Sequence, residues 1–253
     1  MKIGLVQYNP IWEDKEKNRE KLCALFFNKK RDEKVLIFPE MTLTGFTMKP
    51  AAFAESLDGE SFNFFARIAS NNEAHVLAGI IEEKEGKFYN SLLHINPQGK
   101  LVSVYWKIHP FSYTGEDKNY TRGTEPVITN IDGWNTGLSI CYDLRFPELF
   151  RRYGKKRVEL IVVIANWPVA RIEHWKTLLK ARAIENQCYV AGVNRIGNDL
   201  MLIYNGFSSI YDPMGSEMIS SEGNETILSA DIFIDSVKQL QAKLPFLDDI
   251  YLI

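Results

Sequence analysis

Leu138-Ser139-Ile140-Cys141-Tyr142-Asp143-Leu144-Arg145-Phe146-Pro147-Glu148 is the stretch of this 253-residue chain whose reading decides the fold. An apolar run leads into one cysteine and then breaks into charged and aromatic residues and a proline. That pattern predicts a buried strand with a thiol at its carboxyl end, where ligand crevices lie in α/β folds. A lone cysteine is most often a packing residue, so the stretch asks for partners elsewhere.

Two other strand endings supply them. Val35 to Phe38 is a compact apolar strand that stops at Pro39-Glu40, and Leu101 to Trp106 runs into Lys107. If the three endings share one edge, a carboxylate, an ammonium and a thiol converge. Glu40 would take the thiol proton, Lys107 would favour a thiolate and hold an oxyanion, and Cys141 would attack a carbonyl carbon. Cys23 and Cys188 fall in a helix pattern and at a strand start, as packing residues do. His75 and His94 in strands and His174 in a helix have no partner at metal-ligand spacing.

Apolar residues make up 45% and charged residues 25% of the chain, as in an ordinary globular protein. The formal net charge of −2 gives no footprint for nucleic acid or an anionic membrane. Lys29-Lys30-Arg31 and Arg151 to Arg157 read as solvated faces or helix ends. Three widely spaced cysteines argue for a reducing cytosol, hence a cytoplasmic protein. Leu160 to Ala165, the most apolar later run, is far short of the ~20 residues that span a bilayer.

Helices are expected at Glu13 to Lys30 (Leu22, Leu25 and Phe26 inward), Phe62 to Asn72, Pro147 to Tyr153, Arg171 to Gln187 (Trp175, Leu178, Leu179 and Ile184 inward) and Ser236 to Ala242. Further strands are expected at Lys2 to Tyr8, His75 to Ile81, Phe88 to Ile95, Val127 to Ile131, Trp134 to Cys141, Leu160 to Ile164, Tyr189 to Asn194, Phe207 to Tyr211 and Ile227 to Ile232. Asn96 to Lys100 suits a hairpin connection, and Asp212-Pro213-Met214-Gly215 a turn. Ile108 to Gly123 is an irregular stretch of the length that is usually functional. Pro245, Phe246 and Leu247 form a tail that docks on the body. No repeat or linker divides the chain, which predicts one mixed α/β domain over 1–253 with helices covering two sheets.

Phe38-Pro39-Glu40-Met41, Tyr105-Trp106-Lys107-Ile108-His109-Pro110-Phe111 and Ile140-Cys141-Tyr142-Asp143-Leu144-Arg145-Phe146-Pro147-Glu148 together resemble the nitrilase, or carbon–nitrogen hydrolase, superfamily. The resemblance implies a four-layer α-β-β-α sandwich, pairing into a homodimer, and neither metal nor organic cofactor. It implies Glu40 as general base, Lys107 as oxyanion stabiliser, Cys141 as nucleophile, and Glu116 orienting the lysine or assisting proton transfer. Ala165-Asn166-Trp167-Pro168, His174-Trp175 and Ala181 to Gln187 are similar to the omega-amidase branch, which implies a small-molecule amide substrate, 2-oxoglutaramate, giving 2-oxoglutarate and ammonia. Arg145 and Arg171 are the candidates for a substrate carboxylate, Trp167 for a pocket wall, and the Tyr142 N–H for a second oxyanion donor. Two other readings stay open: a cysteine–histidine hydrolase with His109 as base, and a noncatalytic scaffold.

Overall fold

The computed structural model describes residues 1–27 and 31–252. The strands are β1 (Lys2–Gln7), β2 (Val35–Ile37), β3 (His75–Lys84), β4 (Lys87–Ile95), β5 (Leu101–Trp106), β6 (Ile128–Ile131), β7 (Trp134–Ile140), β8 (Leu160–Ala165), β9 (Tyr189–Asn194), β10 (Ile196–Asn198), β11 (Ile203–Tyr211), β12 (Glu217–Glu222) and β13 (Thr226–Asp231). The helices are α1 (Lys15–Phe26), α2 (Pro50–Phe53), α3 (Glu60–Asn72), α4 (Glu116–Asn119), α5 (Pro147–Lys155), α6 (Ile172–Asn186) and α7 (Ile234–Lys243).

The strands form two sheets. One is six-stranded, in the order β13-β1-β2-β3-β4-β5; the other is seven-stranded, β10-β11-β9-β8-β7-β6, with β12 on β11. Strand alternation explains the layering. Val35, Ile37, Leu77 and Leu92 face the second sheet, while their neighbours Leu36, Val76, Ala78 and Leu93 face α1 and α3. Trp175, Leu179 and Ala183 of α6, with Phe150 and Tyr153 of α5, cover the outer face of the second sheet. The result is the expected α-β-β-α sandwich.

Several local expectations are corrected. Leu25 and Ile184 point outward, 41% and 48% exposed; on α1 the inward place belongs to Asn18, whose side chain bonds Ile11 and Leu43 backbone. The irregular stretch after Lys107 contains a 3-10 turn at Ser112–Thr114 and the short helix α4. Strands β10 and β12 add to the expected set; β12 is a half-exposed sheet edge whose sequence, Glu-Met-Ile-Ser-Ser-Glu, lacks clean alternation. Lys29 and Lys30 lie outside the described residues, whereas Arg151 and Arg157 bond the Glu185 carbonyl and the Asp248 carboxylate. Of the tail only Leu247 docks: it is buried, and the Leu244 carbonyl just before the tail accepts from Gln187, whereas Pro245 and Phe246 are exposed. No described helix is long and apolar enough to cross a membrane.

His75 and His94 pair with each other across β3 and β4, 2.8 Å apart; His94 continues to Thr129 of β6 (2.6 Å) and His75 to Asp132 in the turn after it (3.2 Å). Burial, reinforced by the neighbouring His75, pushes the His94 imidazole down to about 4. The folded state therefore binds fewer protons than the unfolded chain, whose histidine titrates near 6.5. The stabilising contribution is complete above pH ~6.5 and fades as pH falls towards 4, amounting to about 3 kcal/mol. Urea midpoints measured at pH 7 and 4.5 should show this slope, and His94→Gln should flatten most of it; an unchanged slope would remove the assignment.

Candidate active site

Glu40 lies in the turn after β2, and that turn leans on β3 closely enough to exclude any side chain at Gly79. A Cβ there would sit 2.6 Å from the Met41 nitrogen and 2.7 Å from the Glu40 Cα. Met41 itself adopts φ 45°, and Thr42 N–H closes the turn onto the Gly79 carbonyl at 2.9 Å. The turn aims the Glu40 carboxylate inward, where the residue is 1% exposed.

Lys107 follows β5 and is buried beside it. Its ammonium donates to Glu40 Oε1 at 2.8 Å and to both oxygens of Glu116, at 2.8 and 3.1 Å. Glu116 opens α4 and also accepts from the Phe111 N–H at 2.6 Å. Asn90 of β4 donates through one Nδ2 to Glu40 and to Glu116, each at 2.8 Å. Burial disfavours charge on Lys107, but Glu116 and Glu40 outweigh it and hold the ammonium above the usual lysine range. Burial raises the Glu116 carboxyl, and the Glu40 charge raises it further against the pull of Lys107.

Cys141 follows β7 on the other sheet, at the head of a 3-10 turn (Cys141–Arg145), with φ 49°. A left-handed non-glycine residue costs about 1–2 kcal/mol, and such strain gathers at functional sites. Asn166, after β8, links nucleophile candidate and base candidate. Its backbone N–H donates to Glu40 Oε2 at 2.9 Å, its Nδ2 to the Glu40 carbonyl at 2.8 Å, and its own carbonyl lies 3.9 Å from Cys141 Sγ as acceptor. Burial pushes the Cys141 thiol well up, and the Glu40 charge adds to it; Lys107 opposes both without prevailing. Lys107 thus acts on the thiol in the expected direction, favouring the thiolate, against burial and the charges of Glu40 and Glu116.

One cavity opens on Cys141, lined also by Phe46, Phe111, Tyr142, Arg145, Asn166, Trp167, Arg171 and Tyr204. Trp167 is 2% exposed and donates from its ring to the Arg171 carbonyl at 2.7 Å. Arg145 lies over the Trp167 ring at 4.7 Å and near His174 Nδ1 at 3.3 Å. Burial, then the Arg171 charge, hold the Arg145 guanidinium below its usual range. Arg171 caps α6 and lies over Phe111 at 5.7 Å. The Tyr142 ring packs on Phe111 and Phe146, while its N–H belongs to the first turn of the 3-10 segment, where amides lack intrahelical acceptors.

The structure thus brings together Glu40, Lys107, Cys141 and Glu116, and lines the cavity with Tyr142, Arg145, Trp167 and Arg171. His109 goes elsewhere: its Nδ1 bonds Asp143 at 2.7 Å and its ring stacks on Phe146 at 3.9 Å, while the charges that act on Cys141 are those of Glu40, Lys107 and Glu116. Sequence reasoning missed Asn90 and gave Asn166 a place in the omega-amidase-like stretch after a strand but no role in the site. The available signal was an amide-bearing residue inside or closing an otherwise apolar run.

The carbon-nitrogen hydrolase family model matches residues 2–242. A 2-oxoglutaramate amidase of Bacillus subtilis is 31% identical over 98% of this chain and 96% of its own. A 2-oxoglutaramate amidase of Paenarthrobacter nicotinovorans is 37% identical over 78% of this chain and 70% of its own. Among solved structures, XC1258 of Xanthomonas campestris, described as a CN-hydrolase superfamily protein with an arsenic adduct in its active site, superposes with a TM-score of 0.95 at 32% identity, covering 100% of this chain and 98% of that one. With a shared sandwich and similarity along nearly its whole length, this chain belongs to the carbon–nitrogen hydrolase family of the nitrilase superfamily and is an amide-hydrolysing enzyme.

Proposed function

We propose that the enzyme hydrolyses the terminal amide of 2-oxo-dicarboxylate monoamides, 2-oxoglutaramate first among them, through a Cys141 thioester. The observation that carries the substrate class is the pair of guanidinium groups at the cavity. Arg145 and Arg171 both line it, and among the described residues neither is ion-paired to a carboxylate. Two like charges beside an apolar, aromatic cavity favour a ligand that brings an anion to one end and a neutral amide to the other. The names of the Bacillus and Paenarthrobacter relatives support the same class.

In this reading the substrate carbonyl is held by Lys107 Nζ and the Tyr142 N–H. Cys141 Sγ attacks the amide carbon while its proton passes to Glu40. Collapse of the tetrahedral oxyanion breaks the C–N bond, and Glu40 returns the proton to the departing ammonia. Glu40 then takes a proton from water, whose oxygen attacks the thioester; the carboxylate product leaves, and Sγ recovers its proton. Glu116 keeps the ammonium in place and balances its charge.

Ammonia release measured over dicarboxylate monoamides, neutral amides, nitriles and N-carbamoyl amino acids tests the class. Turnover should be highest on the 2-oxo monoamides. Arg171→Glu should raise KM for carboxylate-bearing amides by about 10-fold or more and leave neutral amides little changed. Preference for neutral amides or nitriles would overturn the substrate class; equal KM effects would take Arg171 out of carboxylate binding.

A further inference from the structure

Asp143 is fully buried and touches neither the cavity nor Glu40, yet each carboxylate oxygen takes two hydrogen bonds. Oδ1 accepts from the His109 backbone N–H at 2.9 Å and from His109 Nδ1 at 2.7 Å. Oδ2 accepts from the Tyr105 hydroxyl at 2.7 Å and from the Ile140 N–H at 3.0 Å. Tyr105 and His109 stand two residues before and two after Lys107, and Ile140 immediately precedes Cys141. One side chain therefore ties the end of β5 to the end of β7, across the two sheets.

We propose that Asp143 is a positioning residue that holds Lys107 in register with Cys141 and keeps Cys141 in its left-handed conformation. This inference rests on the amidase reading of Cys141 and Lys107 above. The Ile140 N–H bond closes the turn that carries the strained cysteine, and the two bonds to His109 hold the chain leaving Lys107 against it. The same arrangement accounts for His109, whose imidazole, with Nδ1 bound to Asp143, serves as a clamp arm.

A carboxylate is required because all four positions are acceptors. In Asp143→Asn one edge becomes an NH2 donor. The Tyr105 hydroxyl can rotate away, but the Ile140 and His109 backbone N–H groups cannot, and each edge faces one of them. At least one backbone bond is lost whichever way the amide turns. A displacement of reacting groups by about 1 Å costs on the order of 100-fold in rate.

The test is ammonia release by the full chain, with wild type first. Asp143→Asn should lower kcat about 100-fold while KM stays within about threefold. Tyr105→Phe, which removes one donor and keeps the carboxylate, should lower kcat about 10-fold with KM again unmoved, and decides the matter if Asp143→Asn does not fold. Val237→Ala, on the buried face of α7, serves as a destabilised control and should keep wild-type kcat below its melting range. Near-wild-type kcat in Asp143→Asn (or, where it fails to fold, in Tyr105→Phe), a KM that rises in step with the loss, or an equal loss in Val237→Ala would overturn the assignment. Wild type inactive on every amide would instead overturn the amidase reading.

Discussion

Cys141→Ala is expected to lower turnover by at least about 10,000-fold, the scale on which removal of a covalent nucleophile acts. The neighbouring amine cannot replace it: Lys107 is held charged by Glu116 and Glu40, so it has no free electron pair. The substitution removes one sulfur atom from a turn whose geometry is set by Ile140, Asp143 and Asn166, so the fold should persist and the loss should be chemical. Cys23→Ala and Cys188→Ala should retain turnover, since Cys23 lies on α1 and Cys188 is buried before β9. Intact-mass detection of an acyl adduct on wild type and its absence on Cys141→Ala completes the test. A Cys141→Ala enzyme with wild-type turnover would remove the thioester from the mechanism. The raised thiol adds a pH expectation: alkylation of the resting enzyme should stay slow through the range, near pH ~8.5, where a free cysteine reacts.

The second large effect is expected at Lys107. Lys107→Met leaves Glu40 and Glu116, each 1% exposed or less, sharing a buried site without their cation. Turnover should fall below detection, and stability should drop by about 3–5 kcal/mol, the cost of stranding one partner of a buried pair. The pH dependence has a definite sign. Glu116 already sits above the ordinary carboxylate range, and removing the ammonium raises it further, so the folded variant binds more protons than the unfolded chain. Its stability therefore falls as pH rises above the unfolded carboxylate value of about 4.3, and the variant should be relatively more stable at pH ~5.5 than at pH ~8. Adding Glu116→Gln should recover much of the stability and none of the activity. Urea melts of the single and double variants at both pH values check each part; a single variant as stable as wild type at the higher pH would contradict this charge balance.

Much of this site was legible because each principal residue ends an apolar strand. Val35 to Ile37, Leu101 to Trp106 and Trp134 to Ile140 are strands, and Glu40, Lys107 and Cys141 lie just beyond their ends. Convergence was not legible, because it depends on how β2, β5 and β7 are ordered in two sheets. Asn90 was hidden for a related reason. It sits inside β4, where Asn90-Ser91 between Phe88-Tyr89 and Leu92-Leu93 looks like a half-exposed step, yet Asn90 is 1% exposed and holds two carboxylates. The helical faces of α1 and α6 were misjudged at Leu25 and Ile184 because periodicity marks a stripe without fixing its width. The edge strand β12 escaped because its residues are half-exposed on both faces.

On the roles proposed above, the placing of Glu40 and Lys107 beyond strands of one sheet and of Cys141 and Asn166 beyond strands of the other has a mechanical consequence. Each catalytic cycle depends on a seam that no single strand spans, so turnover reports the alignment of the two halves of the sandwich. Slippage too small to melt either sheet would silence the enzyme, making its activity a gauge of the seam long before its secondary structure is lost.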